Sequence, residues 1–265
     1  MTLRSEIKPA LSASGATHAN PRLDFALVDE TDDYAVVEKP PFLLVHPTKP
    51  GGPRTLWSEL RELFAFEIAN GGQVSIVNRL DRETSGLVLV AKTAAAARRF
   101  GLLMQEERIA KEYLAIVFGW PEWETRAVDA PLARLGAHQP SPIYLMQGIH
   151  SLGAPARTGF EVVRRFRKPT SAGEKFSVIR AIPATGRTHQ IRVHLASLGH
   201  PLVGDKIYGP NEQFYLRFIE TGWTPELERA LLLPRHALHS ARLAIKGVGD
   251  WTSPLPPDLA EFADH

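Results

Sequence analysis

Residues 77–92 read V-N-R-L-D-R-E-T-S-G-L-V-L-V-A-K, and this stretch carries the strongest local signals in the chain. The run Gly86–Ala91 is apolar and rich in branched residues, which predicts a buried strand. Just before it, Asp81 stands between Arg79 and Arg82. Because nearby cations lower the pKa of a carboxyl group, Asp81 is predicted to be ionised. A charged carboxylate on a loop that leads into a core strand suits a nucleophile or a base, and the same pattern is also that of a salt-bridged surface turn.

The rest of the chain has more strand-like segments than helical ones. Further strands are predicted at Tyr34–Glu38, Tyr113–Phe118, Gly159–Phe166, Phe176–Ile182 and Leu238–Ile245. Three helices are predicted: one with Thr55 as N-cap and Leu56, Leu60, Leu63, Phe64 and Ile68 on one face, one after Thr93, and one that starts near Thr188, buries Ile191, Leu195 and Leu198 and stops at Gly199. Strands and helices do not alternate regularly, so the predicted fold class is α+β with a mixed sheet.

A second polar cluster, A-T-G-R-T-H-Q-I-R-V-H, covers residues 184–194. Here the strand Phe176–Ile182 runs through a glycine turn into the third helix, whose first backbone amides can bind phosphate. Additional donors stand beside them at Arg187, Thr188, His189 and Gln190. Arg192 lies one helical turn beyond Thr188 and could point inward at a carboxylate from another segment. The junction alone is a weak signal, since many α/β proteins have one.

Charge is distributed unevenly along a chain whose net charge is only +2. Residues 157–192 contain nine lysine and arginine residues and two acidic ones, a net charge of +7 over 36 residues. This basic stretch suits a polyanion that binds in one place, and it equally suits a solvated surface on a pair of strands. Tyr113, at the start of its predicted strand, has two readings as well: a core aromatic, or a platform for a nucleobase.

Composition and spacing exclude several classes of function. The chain has 265 residues and no cysteine, which excludes disulfides, thiolate metal sites and a cysteine nucleophile. His189 and His194 are five residues apart, so they do not share a helix face as paired metal ligands would. The sequence contains no Walker loop, no G-x-G-x-x-G and no G-x-S-x-G. No apolar run is long enough to span a membrane and no secretory signal precedes residue 22, so a soluble, cytoplasmic protein is expected.

Three motifs in order resemble the RluA-type pseudouridine synthases: the stretch at residues 77–92, K-E-Y-L-A-I-V-F-G at 111–119, and T-G-R-T-H-Q-I-R-V-H-L-A-S-L-G-H-P-L-V-G-D-K-I-Y-G at 185–209. The resemblance covers roughly residues 24–245. It implies a catalytic domain with a mixed, mostly antiparallel sheet in two halves, flanking helices and a basic central cleft. Residues 23–265 would form this domain after a flexible tail at residues 1–22. That leaves no room for the small RNA-binding module that many relatives carry, so selectivity is expected from the cleft and from loops such as Ala137–Gly153.

The resemblance also implies an activity and a site. The protein would isomerise a specific uridine in ribosomal or transfer RNA to pseudouridine, with no metal, nucleotide or other cofactor. It would act as a monomer. By similarity, Asp81 attacks the target uridine, Tyr113 stacks on the uracil and Arg192 holds Asp81 ionised. Arg79 would enter the RNA stack where the uridine has flipped out. The cleft would bind RNA through Arg79, Arg82, Arg187, Thr188, His189 and Gln190.

One departure and two alternatives accompany this reading. Asn78 stands where the family commonly has a histidine, and an amide can hydrogen-bond but cannot carry charge. A non-catalytic RNA-binding or RNA-folding protein on the same scaffold would not require Asp81, Tyr113 and Arg192 together. A nucleoside hydrolase would require a second catalytic acid, and the motifs offer only Glu83.

Overall fold

The computed structural model describes residues 24–49 and 51–264. Its strands are β1 (Ala26–Glu30), β2 (Tyr34–Lys39), β3 (Ser75–Ile76), β4 (Ser85–Ala91), β5 (Ile109–Phe118), β6 (Thr125–Asp129), β7 (Leu132–Arg134), β8 (Gln147–Ile149), β9 (Arg157–Thr170), β10 (Gly173–Pro183), β11 (Leu238–Ile245) and β12 (Gly249–Thr252). Its α-helices are α1 (Leu56–Leu63), α2 (Ala65–Ala69), α3 (Ala94–Gln105), α4 (Gln190–Ser197), α5 (Gln213–Thr221), α6 (Pro225–Leu231) and α7 (Pro257–Ala263).

Ten of the strands form one sheet, in the order β1-β2-β4-β11-β5-β10-β9-β6, with β3 added to β4 and β12 added to β11. The pairing of β4 with β11 is parallel, and the other pairings in this sheet are antiparallel. Strands β7 and β8 form a separate hairpin. The fold is therefore α+β with a mixed, mostly antiparallel sheet, as the sequence predicts.

Strand β4 lies inside the sheet, between β2 and β11, and every residue in it is buried. Val88 and Val90 pack into the core on one face, and Leu87 and Leu89 pack into a second core on the other face. A strand covered on both sides explains why residues 87–91 are continuously apolar rather than alternating. The loop before β4 carries Asp81, and it therefore lies next to the short parallel pairing of β4 with β11.

Gly86 fixes the point where β4 meets β11. Its backbone has φ +106°, and a Cβ atom added there would lie 2.3 Å from the carbonyl oxygen of Ser240. Gly86 and Ser240 are also partners in the short parallel register of the two strands. Only glycine accommodates both the positive φ and this close approach, so Gly86 sets where the preceding loop leaves the sheet.

The predicted elements are present, with several corrected boundaries. Strand β5 begins at Ile109, so Tyr113 lies inside the strand and does not open it. The first helix is interrupted at Phe64 (φ −99°, ψ 29°), where the chain turns so that the Phe64 ring is buried while Phe66 stays 79% exposed. Leu63 and Ile68 are consequently only partly buried. Helical periodicity continues across such a turn, which is why the sequence does not reveal it.

The third helix also differs at its start. Helix α4 begins at Gln190, because His189 adopts a left-handed conformation (φ 56°, ψ 16°) that cannot belong to the helix. Its predicted end is confirmed, since Gly199 follows the last turn with φ +79°. Helix α3 follows Thr93 as predicted, and the Thr93 hydroxyl caps it by accepting a hydrogen bond from the amide of Ala96 at 3.1 Å.

Several elements had no sequence prediction: strands β1, β3, β6, β7, β8 and β12 and helices α5, α6 and α7. The predicted tail at residues 1–22 lies outside the described residues. Within residues 24–49 and 51–264, no helix is both long and apolar enough to cross a membrane.

Candidate active site

A cleft of about 760 Å³ runs between the loop before β4 and the start of α4. All of the predicted site residues line it: Arg79, Asp81, Arg82, Tyr113, Arg187, Thr188, His189, Gln190 and Arg192. Its apolar lining includes Leu80, Ile191 and Leu238. The fold therefore brings together residues that are more than 100 positions apart in the sequence.

Asp81 is bound on one side by Arg192. The Nη1 atom of Arg192 donates to Oδ2 of Asp81 at 2.9 Å, as the sequence suggested that an inward-pointing arginine would. Oδ1 of Asp81 has no hydrogen-bond partner among the described residues, and 28% of the side chain is exposed. The carboxylate thus has one tethered oxygen and one oxygen available to a ligand.

Arg192 is itself held by a second carboxylate that the sequence reasoning missed. Its Nε and Nη2 atoms donate to Oδ2 and Oδ1 of Asp205 at 2.7 and 2.9 Å, a bidentate pair in which Asp205 is fully buried. Oδ1 of Asp205 also accepts the backbone amides of Ile207 and Tyr208, each at 3.0 Å. Because every donor on this fork has a fixed direction, Asp205 determines where the remaining nitrogen of Arg192 meets Asp81.

We call the group formed by Asp81, Arg192 and Asp205, together with the adjacent His189 and Tyr208, the charged centre. Nε2 of His189 lies 3.8 Å from Oδ2 of Asp81, too far for a hydrogen bond. Nδ1 lies 2.8 Å from the Tyr208 hydroxyl, which also accepts the backbone N–H of Gln147 at 2.8 Å. The Arg192 guanidinium carbon lies 5.0 Å from the centre of the Tyr208 ring. His189 therefore belongs to the charged centre and not only to the cleft wall.

Arg192 keeps Asp81 ionised. Burial raises the pKa of Asp81, but His189, Arg192 and His236 lower it, and the balance leaves the pKa below its ordinary value. Burial and the charge of Arg192 lower the pKa of His189 to about 4, and burial takes the pKa of His236 well below normal. Both rings are neutral near pH 7, so Arg192 is the cation that acts on Asp81 there.

Two buried lysines, Lys39 and Lys206, hold the loop that carries Asp81 in place. Nζ of Lys39 donates to the carbonyl oxygens of Pro40, Leu43 and Arg82 at 2.8, 3.0 and 3.2 Å. Nζ of Lys206 lies 2.8 Å from Oε1 of Glu83, whose Oε2 accepts the backbone amide of His236 at 3.1 Å. Glu83, the second acid of the motif, is thus occupied in holding the loop.

Two polar residues of the motifs have structural partners. Asn78 is buried; its amide nitrogen donates to the carbonyl of Leu87 at 3.1 Å and its oxygen accepts the amide of Leu89 at 2.7 Å. Gln190 is also buried and uses both ends of its amide on Thr185, Arg187, Arg157 and Thr158. The side chain of Gln190 therefore shapes the turn before α4, and its predicted contact with RNA stays a prediction.

The outer part of the cleft is more open. Arg79, Arg82, Arg187 and Thr188 are exposed. Nε of Arg187 donates to the carbonyl of Pro155 at 3.0 Å, which leaves its terminal nitrogens for a ligand. Tyr113 differs from these residues, because only 8% of it is exposed and it packs into the core beneath the cleft. Burial raises the pKa of the Tyr113 hydroxyl to about 12, so the ring is neutral.

The basic stretch at residues 157–192 divides between two places. Arg187 and Arg192 lie in the cleft, whereas Arg165 and Arg167 lie on the β9–β10 hairpin. Nη1 of Arg165 pairs with Glu124 at 2.7 Å, and Arg167 pairs with Glu174. Neither hairpin residue lines the cleft. The charge of the stretch is therefore not gathered on one surface, since these two hairpin arginines lie outside the cleft and have acidic partners of their own.

Comparison with known proteins shows similarity to pseudouridine synthases along most of the chain. A family profile described as RNA pseudouridylate synthase matches residues 33–197. The ribosomal large subunit pseudouridine synthase D of Nitrosomonas europaea is 34% identical over 250 residues, which cover 92% of this chain and 66% of that protein. The protein of the same name from Pasteurella multocida is 35% identical over 249 residues, covering 91% and 71%. The chain thus spans about two thirds of the length of these relatives.

Two solved structures are similar as well. Human RNA Pseudouridylate Synthase Domain Containing 1 superimposes with a TM-score of 0.65 and 26% identity, covering 94% of this chain and 89% of that one. Human RNA Pseudouridylate Synthase Domain Containing 4 gives a TM-score of 0.66 at 21% identity, covering 88% and 90%, which shows a shared fold.

Proposed function

We propose that this chain, which belongs to the RNA pseudouridylate synthase family of isomerases, converts one uridine of ribosomal RNA to pseudouridine. Asp81 is the catalytic carboxylate in this proposal. The observation that carries the proposal is the state of Asp81: Arg192 holds Oδ2 at 2.9 Å, while Oδ1 has no partner among the described residues. A charged oxygen that is oriented but unoccupied is what attack on a bound nucleotide requires.

The chemistry of the reaction fits a single free carboxylate. Pseudouridine formation breaks the bond from ribose to the ring nitrogen, turns the uracil and joins the ribose to a ring carbon, whose hydrogen is released. Glycosidases use two carboxylates because a group must depart and water must be activated. Here the base stays in the site, and Glu83, the nearest other acid of the motif, is paired with Lys206. This arrangement also argues against a nucleoside hydrolase.

Flipping of the target uridine out of the RNA is part of the proposal. A base inside a stack cannot reach Asp81, and extruding it costs a few kcal/mol. Arg79 is exposed beside the cleft and is suited to fill the gap left in the stack. Tyr113 lies beneath the cleft as an apolar surface for the uracil, and stacking on an aromatic ring is worth about 1–3 kcal/mol per base.

The remaining residues have supporting roles in this proposal. Arg82, Arg187 and Thr188 are exposed along the cleft, where they can bind the phosphates that flank the uridine. Asp205 is a positioning residue, because it acts on the substrate only through Arg192. Ribosomal RNA is proposed over transfer RNA because the curated relatives are named for the large ribosomal subunit. Residues 23–265 as one catalytic domain, a monomer, and a reaction without cofactor remain predictions.

The test is Asp81→Asn assayed on large-subunit ribosomal RNA made with tritium at carbon 5 of its uridines, because rejoining the base through that carbon releases the label. We expect Asp81→Asn to lower the rate of tritium release by about 10⁴-fold or more, in the range seen when other enzymes lose a nucleophile. RNA affinity should stay within a few-fold of the wild type, since the amide has the same shape and the outer arginines are intact. Asp250→Asn, which changes an exposed aspartate outside the cleft, is the control.

Two outcomes would contradict the proposal. Tritium release by Asp81→Asn at the wild-type rate would remove Asp81 from the catalytic role. A wild-type protein that binds this RNA tightly but releases no tritium would instead be a non-catalytic RNA-binding protein. Mapping pseudouridines in RNA from cells with and without the gene then identifies the target position.

A further inference from the structure

The segment that leads into β8 forms one edge of the cleft. We call residues 141–147 the rim loop. Ile143 is buried in a core that includes Val193 of α4, while Leu145 lines the cleft. Between them, Tyr144 points the other way and is 73% exposed. The rim loop thus alternates between core, solvent and cleft.

The rim loop is anchored to the charged centre and is not a free surface loop. The backbone amide of Gln147 donates to the Tyr208 hydroxyl, which also contacts Nδ1 of His189, both at 2.8 Å. The carbonyl of Met146 accepts the amide of Leu135 at 2.9 Å. These contacts hold Tyr144 at a fixed place relative to His189.

Tyr144 carries a cation on its ring. The guanidinium carbon of Arg134, the last residue of β7, lies 4.5 Å from the ring centre. With 73% of Tyr144 still exposed, the ring remains open on the side away from Arg134. A fixed aromatic ring next to a cation is an arrangement that proteins use to stack unpaired bases of RNA while attracting the phosphates beside them.

We propose that Tyr144, supported by Arg134, is a stacking platform for an unpaired base next to the target uridine. This inference rests on the proposed function and adds a contact that determines which RNA segment is accepted. The Cα atom of Tyr144 lies one step, about 3.8 Å, from that of Leu145, which lines the cleft, while the Tyr144 ring is exposed at the outer edge of the rim loop. RNA is favoured over a protein partner because the cation and the ring together complement a nucleotide, and because this edge belongs to the cleft that holds Asp81.

The experiment measures KM and kcat for tritium release with the wild type, Tyr144→Ala, Tyr144→Phe and Leu152→Ala. Leu152 is the matched control, since it is 79% exposed, lies just after β8 within residues 137–153, and does not line the cleft. Loss of one stacked base should raise KM about five- to a hundredfold in Tyr144→Ala. The value of kcat should stay within about twofold, because Tyr144 is not among the residues that line the cleft around Asp81. Tyr144→Phe, which keeps the ring, and Leu152→Ala should match the wild type.

RNA variants sharpen the assignment. Abasic nucleotides placed one at a time around the target uridine should identify a position at which Tyr144→Ala has no further effect on KM, because the base that the ring stacks on is already gone. Equal KM values for Tyr144→Ala and Leu152→Ala would overturn the inference while leaving the proposed function intact. So would a Tyr144→Ala variant that keeps its KM but changes sedimentation, which would assign this edge to contacts between protein molecules. Absence of tritium release by the wild type would instead contradict the proposed function, and RNA affinities of the same variants would still test the platform.

Discussion

The cleft and the β9–β10 hairpin take their cations from the same basic stretch, but they surround them with different partners. Arg192 in the cleft is 5% exposed and divides three nitrogens between Asp81 and the buried Asp205. Arg165 on the hairpin is 28% exposed and binds Glu124 together with the carbonyl oxygens of Pro121 and Trp123. The first arginine binds the buried Asp205 and the partly exposed Asp81, and the second binds a turn at the surface.

This difference shows how position in the fold decides what a charge does. A buried ion pair depends on both partners, because a charge left alone in the interior has no water to solvate it. Breaking an exposed ion pair lowers the free energy of unfolding only slightly, because water replaces the lost partner. The two arginines should therefore respond very differently to the same substitution.

The largest expected effect is on stability. Arg192→Gln should lower the free energy of unfolding by about 3–5 kcal/mol, because Asp205 is then left buried and unpaired. Arg165→Gln should lower it by about 1 kcal/mol or less. Urea unfolding followed by circular dichroism measures both.

The double variant Arg192→Gln, Asp205→Asn separates a lost pair from an orphaned charge. It should recover part of the stability lost in Arg192→Gln, since the unpaired carboxylate is gone. A double variant that is less stable than Arg192→Gln by the full effect of Asp205→Asn would contradict the shared-arginine account.

A smaller effect should appear in the pH dependence of stability. Burial raises the pKa of Asp205, but the charge and hydrogen bonds of Arg192 hold it far below the ordinary value. A carboxyl group whose pKa is depressed in the folded state contributes stability above its unfolded pKa of about 3.9, and this stability is lost as the pH falls through the folded pKa. The free energy of unfolding of the wild type should therefore fall more steeply below about pH 4 than that of Asp205→Asn. Parallel curves for the two proteins would show that Asp205 does not hold its charge through Arg192.

Glu174→Gln on the hairpin is the control for this measurement, since Glu174 pairs with an exposed arginine. Its curve should follow the wild type. The buried His189, with a pKa of about 4, adds a loss of stability as the pH falls from about 6.5 toward 4. Because the charge of Asp205 raises the pKa of His189, this loss is no smaller in Asp205→Asn than in the wild type, and a steeper fall of the wild type therefore reports Asp205 itself.

The next largest effect is on RNA binding. It is expected at Arg187, an exposed arginine that lines the cleft. Arg187→Ala should weaken binding of large-subunit ribosomal RNA and reduce the slope of log affinity against log salt by about one, as expected for one phosphate contact. Fluorescence anisotropy at 50 to 200 mM salt measures the slope. A slope equal to that of the wild type would place Arg187 outside the RNA contact.

Much of the fold could be predicted from local patterns. The apolar run of β4, the start of α3 after Thr93 and the glycine after α4 each depend on a few neighbouring residues, and each was predicted at or near its place. The short strands β3 and β7 could not be predicted, because two or three residues show no periodicity. The break at Phe64 depends on tertiary packing of that ring.

The site could be predicted only in part. The three family motifs identified Asp81, Tyr113 and Arg192, and the structure places all three in one cleft. Asp205 stands in the third motif, within G-D-K-I-Y-G, but nothing in that pattern says which cation it binds. Its pairing with Arg192 depends on how the chain folds back after α4. The residue types in the motif do not show which side chains this fold brings close together. Lys39 was missed for the same reason, since a lysine in a sequence gives no sign that it is fully buried.

The smallest expected effect comes from the hairpin cations. Arg167 pairs with Glu174 and its guanidinium carbon lies 4.8 Å from the ring centre of Trp120, so its charge already has partners. Arg167→Ala should change stability by about 0.5 kcal/mol or less and leave the salt slope of RNA binding unchanged. Measurement of Arg167→Ala and Arg187→Ala under the same conditions tests whether the charge of an arginine or its position in the fold determines whether it contacts RNA. A slope reduced to the same extent in both variants would mean that RNA reaches the hairpin, and the two parts of the basic stretch would then act as one surface despite their different partners.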